Sequence, residues 1–269
     1  MKKQIERRMR PLLGTFVEVT IAANGQNMDH QFNEVFYVIE RMQRLLSFHD
    51  CESDLTKLNL SRGQWITLNP LSIVAFRIAR RMTEVTNGLF NFTVGGQLVQ
   101  DKVLPNHNFT KNFLTVGTSY DLQIKGRKAK LRRPVLITLD GIAKGLAVDL
   151  AIKKMKSLGI AYGSVNAGGD LRVFGKAHTI PISRRDANGK IQLLGSFANA
   201  AMATSQGADK DHQRFPGRIL SVPQRKFTDE IWTVKAPVAW LADALTKVAC
   251  NSDPELAARS VNQFGGELI

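Results

Sequence analysis

The stretch ITLDGIAKGLAVDLAIKKMKSLG, residues 137–159, decides the fold. It follows and overlaps KLRRPVLITL, residues 130–139, whose apolar and β-branched residues are typical of a strand. From Gly141 onward, apolar residues recur every four positions, lysines fill the last turn and Gly159 follows it, which indicates a helix and its end. The stretch therefore predicts a strand that turns through Gly141 into a helix.

Gly141 and Gly145 fall at the start of this predicted helix, where each glycine costs about 1 kcal/mol relative to alanine. A strand that turns into a helix can leave backbone N–H groups unpaired at the helix start, where the dipole favours a phosphate. Glycine is equally suited to a helix that packs closely on a strand. Spacing alone leaves both interpretations open, because the pattern is not GxGxxG.

Long helices are concentrated at the two ends of the chain, with alternating strands between them. Residues 29–48 show helical periodicity with Asp29 as the expected cap, and another helix begins at Pro237. This order predicts an α+β fold with mixed or antiparallel sheets and packed helices. We expect a single domain over residues 1–269, with two lobes joined by an irregular excursion near 96–113.

The chain is strongly basic. It carries 37 Lys and Arg residues against 23 Asp and Glu, a formal net charge of +14, and such a surface attracts nucleotides, phosphates or acidic proteins. Nucleic acid is not the favoured partner, because basic and aromatic residues are not interleaved. The basic segment MKKQIERRMR, residues 1–10, is expected to be a solvated tail.

Cysteine usage and hydropathy indicate the cellular compartment of the protein. Cys51 and Cys250 lack the spacing of a zinc site or a disulfide framework. No apolar run reaches the length of a membrane span, and no signal peptide or lipobox is visible. We therefore expect a cytoplasmic protein with no membrane span.

SVNAGGDLRVFG, residues 164–175, predicts a tight hairpin turn at Gly168 and Gly169. Asn166 and Asp170 bracket the two glycines. Such side chains commonly hold their own turn through backbone hydrogen bonds, and they can also bind a ligand. The local sequence leaves both roles open.

APVAWLADALTKVA, residues 236–249, predicts a helix that carries Asp243 and Thr246 one turn apart on the same side. Two oxygen groups in that arrangement suit a hard cation such as Mg²⁺. Asp243 also lies four residues before Lys247, which is the spacing of an ordinary salt bridge. Spacing favours the salt bridge over the metal.

Taken in order, these segments and four others resemble the ApbE family, the FAD:protein FMN transferases. The resemblance runs along nearly the whole chain, and its specificity comes from the order of the motifs rather than from any one of them. The matching segments are PLLGTFVEVTI (11–21), LLSFHDCESDLTKLN (45–59), LFNFTVGG (89–96), LDGIAKGLAVD (139–149), VNAGGDLRVFG (165–175), AMATSQG (201–207) and ADALTKVA (242–249).

The resemblance implies a reaction and a set of site residues. FAD is cleaved at its pyrophosphate, FMN is joined to a Thr or Ser hydroxyl of an acceptor protein, and AMP leaves. By position, Gly141, Asp243 and Thr246 would bind Mg²⁺, and Asp243 and Thr246 would be catalytic. The implied cofactor-binding residues are Leu13, Asn91, Phe92, Thr93, Lys144, Asn166, Gly168, Gly169 and Asp170.

Departures from the family pattern cluster at the implied metal and nucleotide site. Lys247 stands where the family has a metal-binding threonine, and an ammonium cannot ligate a metal ion. The remaining replacements are Leu13 for a methionine, Thr138 for an aspartate, Asp140 for a glycine and Gln206 inserted before a glycine.

The family's His-x-Ile-Asp-Pro-x-Thr-Gly segment has no counterpart here. RFPGRILSVPQRKF, residues 214–227, takes its place, with Arg218 near the position of the histidine. Three hypotheses therefore follow: a working flavin transferase, a catalytically impaired FAD-binding paralogue, and an anion or nucleic-acid binder. Only the net charge supports the third hypothesis.

Overall fold

The computed structural model of the protein describes residues 4–23, 27–109, 112–175, 180–185, 191–206 and 231–269. Twelve strands are present in these ranges: β1 (Gln4–Leu12), β2 (Thr15–Ala23), β3 (Ile66–Thr67), β4 (Leu122–Lys125), β5 (Lys128–Leu131), β6 (Tyr162–Ala167), β7 (Asp170–Phe174), β8 (Ile180–Arg185), β9 (Ile191–Phe197), β10 (Ala201–Gln206), β11 (Ile231–Ala236) and β12 (Glu267–Leu268).

Seven of the strands form one sheet in the order β1-β2-β6-β7-β10-β11-β12, and each neighbouring pair is antiparallel. Two small antiparallel sheets have the orders β3-β5-β4 and β8-β9. The α+β fold with antiparallel sheets and packed helices is thus confirmed.

The described residues contain seven α-helices: α1 (Met28–Leu46), α2 (Asp54–Asn59), α3 (Pro70–Val85), α4 (Gly95–Gln100), α5 (Ala143–Ser157), α6 (Ala239–Cys250) and α7 (Pro254–Gln263). Helix α4 lies at the start of the segment expected to be an irregular excursion. Within the described part of the chain, no helix combines the length and apolarity that a membrane crossing requires.

The large sheet and its helices share one continuous hydrophobic core. Alternate residues of β2, among them Val17, Val19 and Ile21, are fully buried, as are Phe32 and Phe36 on α1. The period of two along β2 and the helical period along α1 place both apolar faces in one hydrophobic cluster.

The basic amino-terminal segment is not a solvated tail where the structure describes it. β1 pairs with β2 over its whole length, from Gln4 to Leu12. The Arg8 guanidinium lies 4.4 Å from the centre of the Phe32 ring, and a nitrogen of the same group lies 2.5 Å from Asp29 Oδ1. The arginine thus covers apolar surface of α1, and Asp29 is its partner rather than the helix cap.

The strand predicted over residues 130–139 ends at Leu131. Beyond it, Asn59 satisfies both backbone polar groups of Ile137, with two hydrogen bonds of 2.8 Å. Thr138 N donates to Phe92 O at 2.8 Å. A distant side chain and a loop supply these bonds, and residues 136–139 belong to no strand.

Candidate functional site

Gly145 is required by helix packing. A Cβ atom added there would lie 2.5 Å from the backbone N of Trp240, at the start of α6. Real Cβ atoms do not approach backbone that closely, so any side chain would push α5 and α6 apart. The packing interpretation of this glycine is therefore the one the structure supports, with a helix rather than a strand as the neighbour.

Glycine at position 141 is explained by its backbone conformation rather than by helix packing. Its φ is +93°, and a Cβ there would lie 3.0 Å from Lys247 Cε. The next two N–H groups, of Ile142 and Ala143, both donate to Leu139 O, at 3.0 and 2.9 Å. These two N–H groups are used within the turn, and α5 begins at Ala143, two residues later than expected.

Asp149 on α5 sets the start of α6. Its two carboxylate oxygens accept hydrogen bonds of 2.9 Å from Ala239 N and Trp240 N. Arg172 Nη1 lies 2.5 Å from Asp149 Oδ1. Burial raises the pKa of Asp149, against the opposing effect of these donors. Asp149 therefore caps a helix other than its own and fixes the first residues of α6, one turn before Asp243.

Lys247 on α6 lies at the centre of a polar cluster formed with Asp243, Thr246 and Ser205. Its Nζ donates to Asp243 Oδ1 at 2.6 Å, to Ser205 Oγ at 2.9 Å and to Thr246 Oγ1 at 3.2 Å. The Asp243 side chain is 0% exposed and that of Lys247 is 19% exposed. The i,i+4 salt bridge expected as one alternative is thus present, and it is buried rather than superficial.

A second lysine and aspartate lie near this cluster. Lys144, in the first turn of α5, places Nζ 3.3 Å from Oδ2 of Asp170, the first residue of β7. Burial, together with the negative charge of Asp243, raises the pKa of Asp170 to about 6, although Lys144 and Lys247 act in the opposite direction.

Lys144 keeps its charge at this position. Burial lowers its pKa, but the carboxylates of Asp170, Asp243 and Asp140 outweigh burial and raise it. The Lys144 side chain is 41% exposed, whereas that of Asp170 is only 4% exposed. A half-exposed, positively charged side chain therefore lies beside a buried acid.

Two carboxylate oxygens in this region lack hydrogen bonds. Oδ2 of Asp170 and Oδ2 of Asp243 are buried and accept none from the part of the chain that the structure describes. Leaving such an atom unsatisfied costs about 1–3 kcal/mol or more for a charged group. A ligand that donates hydrogen bonds to these oxygens would recover that cost, so we take this region as the candidate site.

The hairpin between β6 and β7 is present as predicted. Asn166 Oδ1 accepts a hydrogen bond of 2.9 Å from Gly169 N, so this side chain holds its own turn. A Cβ at Gly168 would lie 2.6 Å from Thr15 Oγ1, and φ at Gly169 is +106°. The turn role of these residues is explained, and a ligand role for them stays a prediction.

The residues expected along the flavin are divided between loop and core. Leu13 is half-buried at φ +57°, with its N–H bonded to Gln43 Oε1. Asn91 Oδ1 accepts bonds of 2.9 and 2.7 Å from Thr93. Phe92 is 1% exposed and Thr93 0%. These two side chains stabilise the loop from inside, and flavin contact stays a prediction for the set.

Sequence reasoning missed Ser205, Asp149 and Arg172. Ser205 Oγ lies 2.8 Å from Thr246 Oγ1 as well as within reach of Lys247. All three residues fall inside motifs quoted above, which is the signal that was present for them. Residues 214–227, with Arg218, lie outside the described residues.

The predicted Mg²⁺ site does not fit the side chains as they stand. Asp243 Oδ1 and Thr246 Oγ1 are both bonded to the Lys247 ammonium. A divalent cation on the same two oxygens would lie against that positive charge. Among the described residues, no group of three or more His, Cys, Asp or Glu side chains is placed to hold a metal ion.

The family model and the solved structures indicate the same relationship. The model of the ApbE family matches residues 13–268. No curated protein matches the chain significantly. Among solved structures, the flavinyl transferase ApbE of Pseudomonas stutzeri in its apo form is 18% identical, with a TM-score of 0.80 over 96% of this chain and 88% of that one.

Two further structures have the same fold. The flavin transferase ApbE of Vibrio cholerae is 19% identical, with a TM-score of 0.81 over 99% of this chain and 94% of that one. The ApbE protein of Thermotoga maritima is 23% identical, with a TM-score of 0.81 over 98% and 93%.

Proposed function

The chain belongs to the ApbE family, and we propose that it is an FAD:protein FMN transferase. FAD is its substrate, FMN is transferred to a Thr or Ser hydroxyl of an acceptor protein, and AMP is released. The observation that carries the proposal is the exposed Lys144 ammonium, 3.3 Å from the buried Asp170. The Oδ2 atoms of Asp170 and Asp243 in this region accept no hydrogen bond from the described residues.

Lys144 is the proposed contact for the pyrophosphate. Negative charge moves onto the AMP phosphate as the P–O–P bond breaks, and a fixed ammonium stabilises that charge. The raised pKa of Lys144 keeps the group protonated at neutral pH. Because the side chain is 41% exposed, a nucleotide can reach it without rearrangement of the helix.

The acceptor hydroxyl must lose its proton as its oxygen bonds to the FMN phosphorus. A pKa of about 6 leaves Asp170 ionised but basic enough to receive that proton at neutral pH. Asp243 and Thr246 are the proposed catalytic residues on α6, and both are fully buried. The proton moves to a carboxylate, and the electron pair of the broken P–O bond leaves with AMP.

The remaining assignments form part of the same proposal. The chain acts as one functional unit over residues 1–269, in the cytoplasm, with a flavin nucleotide and an acceptor protein as its partners. We propose that Leu13, Asn91, Phe92, Thr93, Asn166, Gly168 and Gly169 form the rest of the flavin nucleotide site.

A second function is favoured by one observation. The Lys247 ammonium lies 2.6 Å from Oδ1 of Asp243. The family resemblance assigns the Asp243 carboxylate to Mg²⁺. If transfer requires the metal, this chain would be an FAD-binding paralogue without transferase activity.

One experiment separates the two functions. The purified chain is titrated with FAD while flavin fluorescence is followed, and the same samples are analysed for AMP in the presence of threonine-containing peptides. Binding with AMP release supports the transferase. Binding without AMP, under every metal condition, supports the paralogue, and an unchanged fluorescence contradicts both.

A further inference from the structure

We propose that the Lys247 ammonium is a built-in cation that occupies the position of a divalent metal in this site. The nucleotide site then works without Mg²⁺, and removal of the ammonium opens a metal site. The part of this inference that concerns FAD rests on the proposed function; the part that concerns metal binding does not.

The surroundings of Nζ resemble those of a bound cation. Three oxygens of three side chains, from Asp243, Ser205 and Thr246, lie between 2.6 and 3.2 Å from it. An ammonium has three hydrogens to donate and no lone pair to offer, so all of its donors are used by this set. The oxygens come from both β10 and α6, which makes the arrangement a built pocket rather than a neighbouring pair on one helix.

The stem of Lys247 is fixed as well as its charge. Its Cγ, Cδ and Cε atoms lie 3.0–3.3 Å from the position of a Cβ at Gly141. The positive φ of Gly141 holds the turn against this stem, where a side chain would displace it. With an exposure of only 19%, the side chain is held in place between the turn and the polar cluster.

The local charges are nearly balanced without a metal. Lys144 and Lys247 supply two positive charges, the buried Asp170 and Asp243 supply two negative ones, and Asp140 adds a further negative charge near Lys144. The mutual influence of the first four groups is visible in the raised pKa of Asp170, on which burial and Asp243 act against both lysines. A divalent cation would leave the cluster with an excess of positive charge beside an ammonium, which disfavours its binding.

The direct test uses Mn²⁺ as the probe, because its electron paramagnetic resonance signal falls when the ion binds. Three proteins are compared: wild type, Lys247→Thr and the control Lys235→Thr. Lys235 is a matched lysine because it also pairs with a carboxylate, Glu267 at 2.8 Å, but at an exposed position.

We expect wild type and Lys235→Thr to leave Mn²⁺ free. We expect Lys247→Thr to bind about one Mn²⁺ at least about tenfold more tightly than wild type. Stoichiometric Mn²⁺ binding by wild type that Asp243→Asn abolishes would overturn the inference. So would a folded Lys247→Thr protein that binds no Mn²⁺.

The melting temperature is measured in two conditions, so that loss of folding is not mistaken for loss of Mn²⁺ binding. Removal of Lys247 leaves Asp243 buried without its partner, so the melting temperature of Lys247→Thr is recorded with EDTA and with Mn²⁺. A rise with Mn²⁺ that wild type and Lys235→Thr do not show supports the inference. If Lys247→Thr does not fold at all, the wild-type Mn²⁺ result decides alone.

FAD binding supplies the second readout. The wild-type dissociation constant for FAD should agree within about twofold in EDTA and in excess MgCl₂. A tenfold gain with MgCl₂ would overturn the inference. If FAD does not bind under either condition, the proposed function fails, while the Mn²⁺ comparison still decides whether Lys247 takes the place of the metal.

Discussion

Asp121 and Asp170 are both buried carboxylates that pair with an exposed basic side chain, yet their environments differ in kind. Asp121 accepts two hydrogen bonds of 2.6 Å from Arg133 and one of 2.8 Å from Thr118 N. Oδ2 of Asp170 forms an ion pair of 3.3 Å with Lys144 Nζ, but the same atom accepts no hydrogen bond from the described residues.

The pKa values of the two acids shift in opposite directions. Burial alone would raise the pKa of Asp121, but Arg133 and Thr118 outweigh it and lower the pKa. Burial and the charge of Asp243 raise the pKa of Asp170 to about 6. A fully bonded buried acid stabilises the fold, whereas an incompletely bonded one is costly to the fold and available to a ligand.

The largest expected effect is at Lys247. Lys247→Met keeps the length of the stem but leaves Asp243 fully buried without its cation, so the free energy of unfolding should fall by about 3–5 kcal/mol without divalent cations. Urea denaturation measures the change. Lys235→Met, at an exposed pair, should change little, and equal effects at the two lysines would contradict the account.

Asp121→Asn should cost less, because Arg133 is half-exposed and can be solvated again. Loss of the bidentate pair with a buried carboxylate is expected to lower the free energy of unfolding by about 2 kcal/mol at pH 7. Glu255→Gln is the matched control, since its pair with Arg259 is exposed on both sides. A cost at Asp121 no larger than that at Glu255 would remove the distinction between buried and exposed pairs.

The pH dependence of the two acids should have opposite signs. Asp170 has a folded pKa above its unfolded value, so its stabilising contribution is complete below about pH 4 and is lost as the pH rises through about 6. As the pH rises from 4 to 7, the free energy of unfolding of Asp170→Asn should therefore increase relative to that of wild type by an amount on the order of 2 kcal/mol. Urea denaturation across that range measures the difference.

Asp121 supplies the contrast. Its pKa is lowered in the folded state, so its contribution is present above the unfolded value and is lost as the pH falls through the folded one. Asp121→Asn should accordingly differ most from wild type at neutral pH. The same trend for both variants would show that the two acids do not differ as described.

The smallest expected effect is on FAD affinity. Lys144→Met removes the exposed cation from the proposed pyrophosphate contact and should raise the dissociation constant for FAD by about tenfold, which equals about 1.4 kcal/mol. Lys153→Met is the control, because Lys153 is exposed on the same helix. Fluorescence titration measures both, and equal dissociation constants for the two variants would exclude Lys144 from the site.

Local patterns in the sequence predict much of this fold. The helix within residues 29–48, the hairpin at Gly168 and the i,i+4 pair of Asp243 and Lys247 all form as their spacing indicates. Each depends on residues within a few positions of one another, so the chain itself brings the groups together.

Features that depend on distant residues were not predictable in the same way. The cap that Asp149 provides for α6 joins residues 90 and 91 positions apart, and Asn59 bonds to a residue 78 positions away. β1 was missed because its stabilisation comes from pairing with β2 and from arginine contacts with α1. The missing information in these cases is the tertiary arrangement, which propensity and periodicity do not contain.

The central claim is that this chain cleaves FAD and joins FMN to a hydroxyl group. The most direct test is ³¹P nuclear magnetic resonance of FAD incubated with the protein and threonine-containing acceptor peptides. We predict that the pyrophosphate resonances decline while those of AMP and of a phosphodiester, FMN joined to the hydroxyl, appear together. Pyrophosphate resonances that persist unchanged, with no AMP under any metal condition, would contradict the claim.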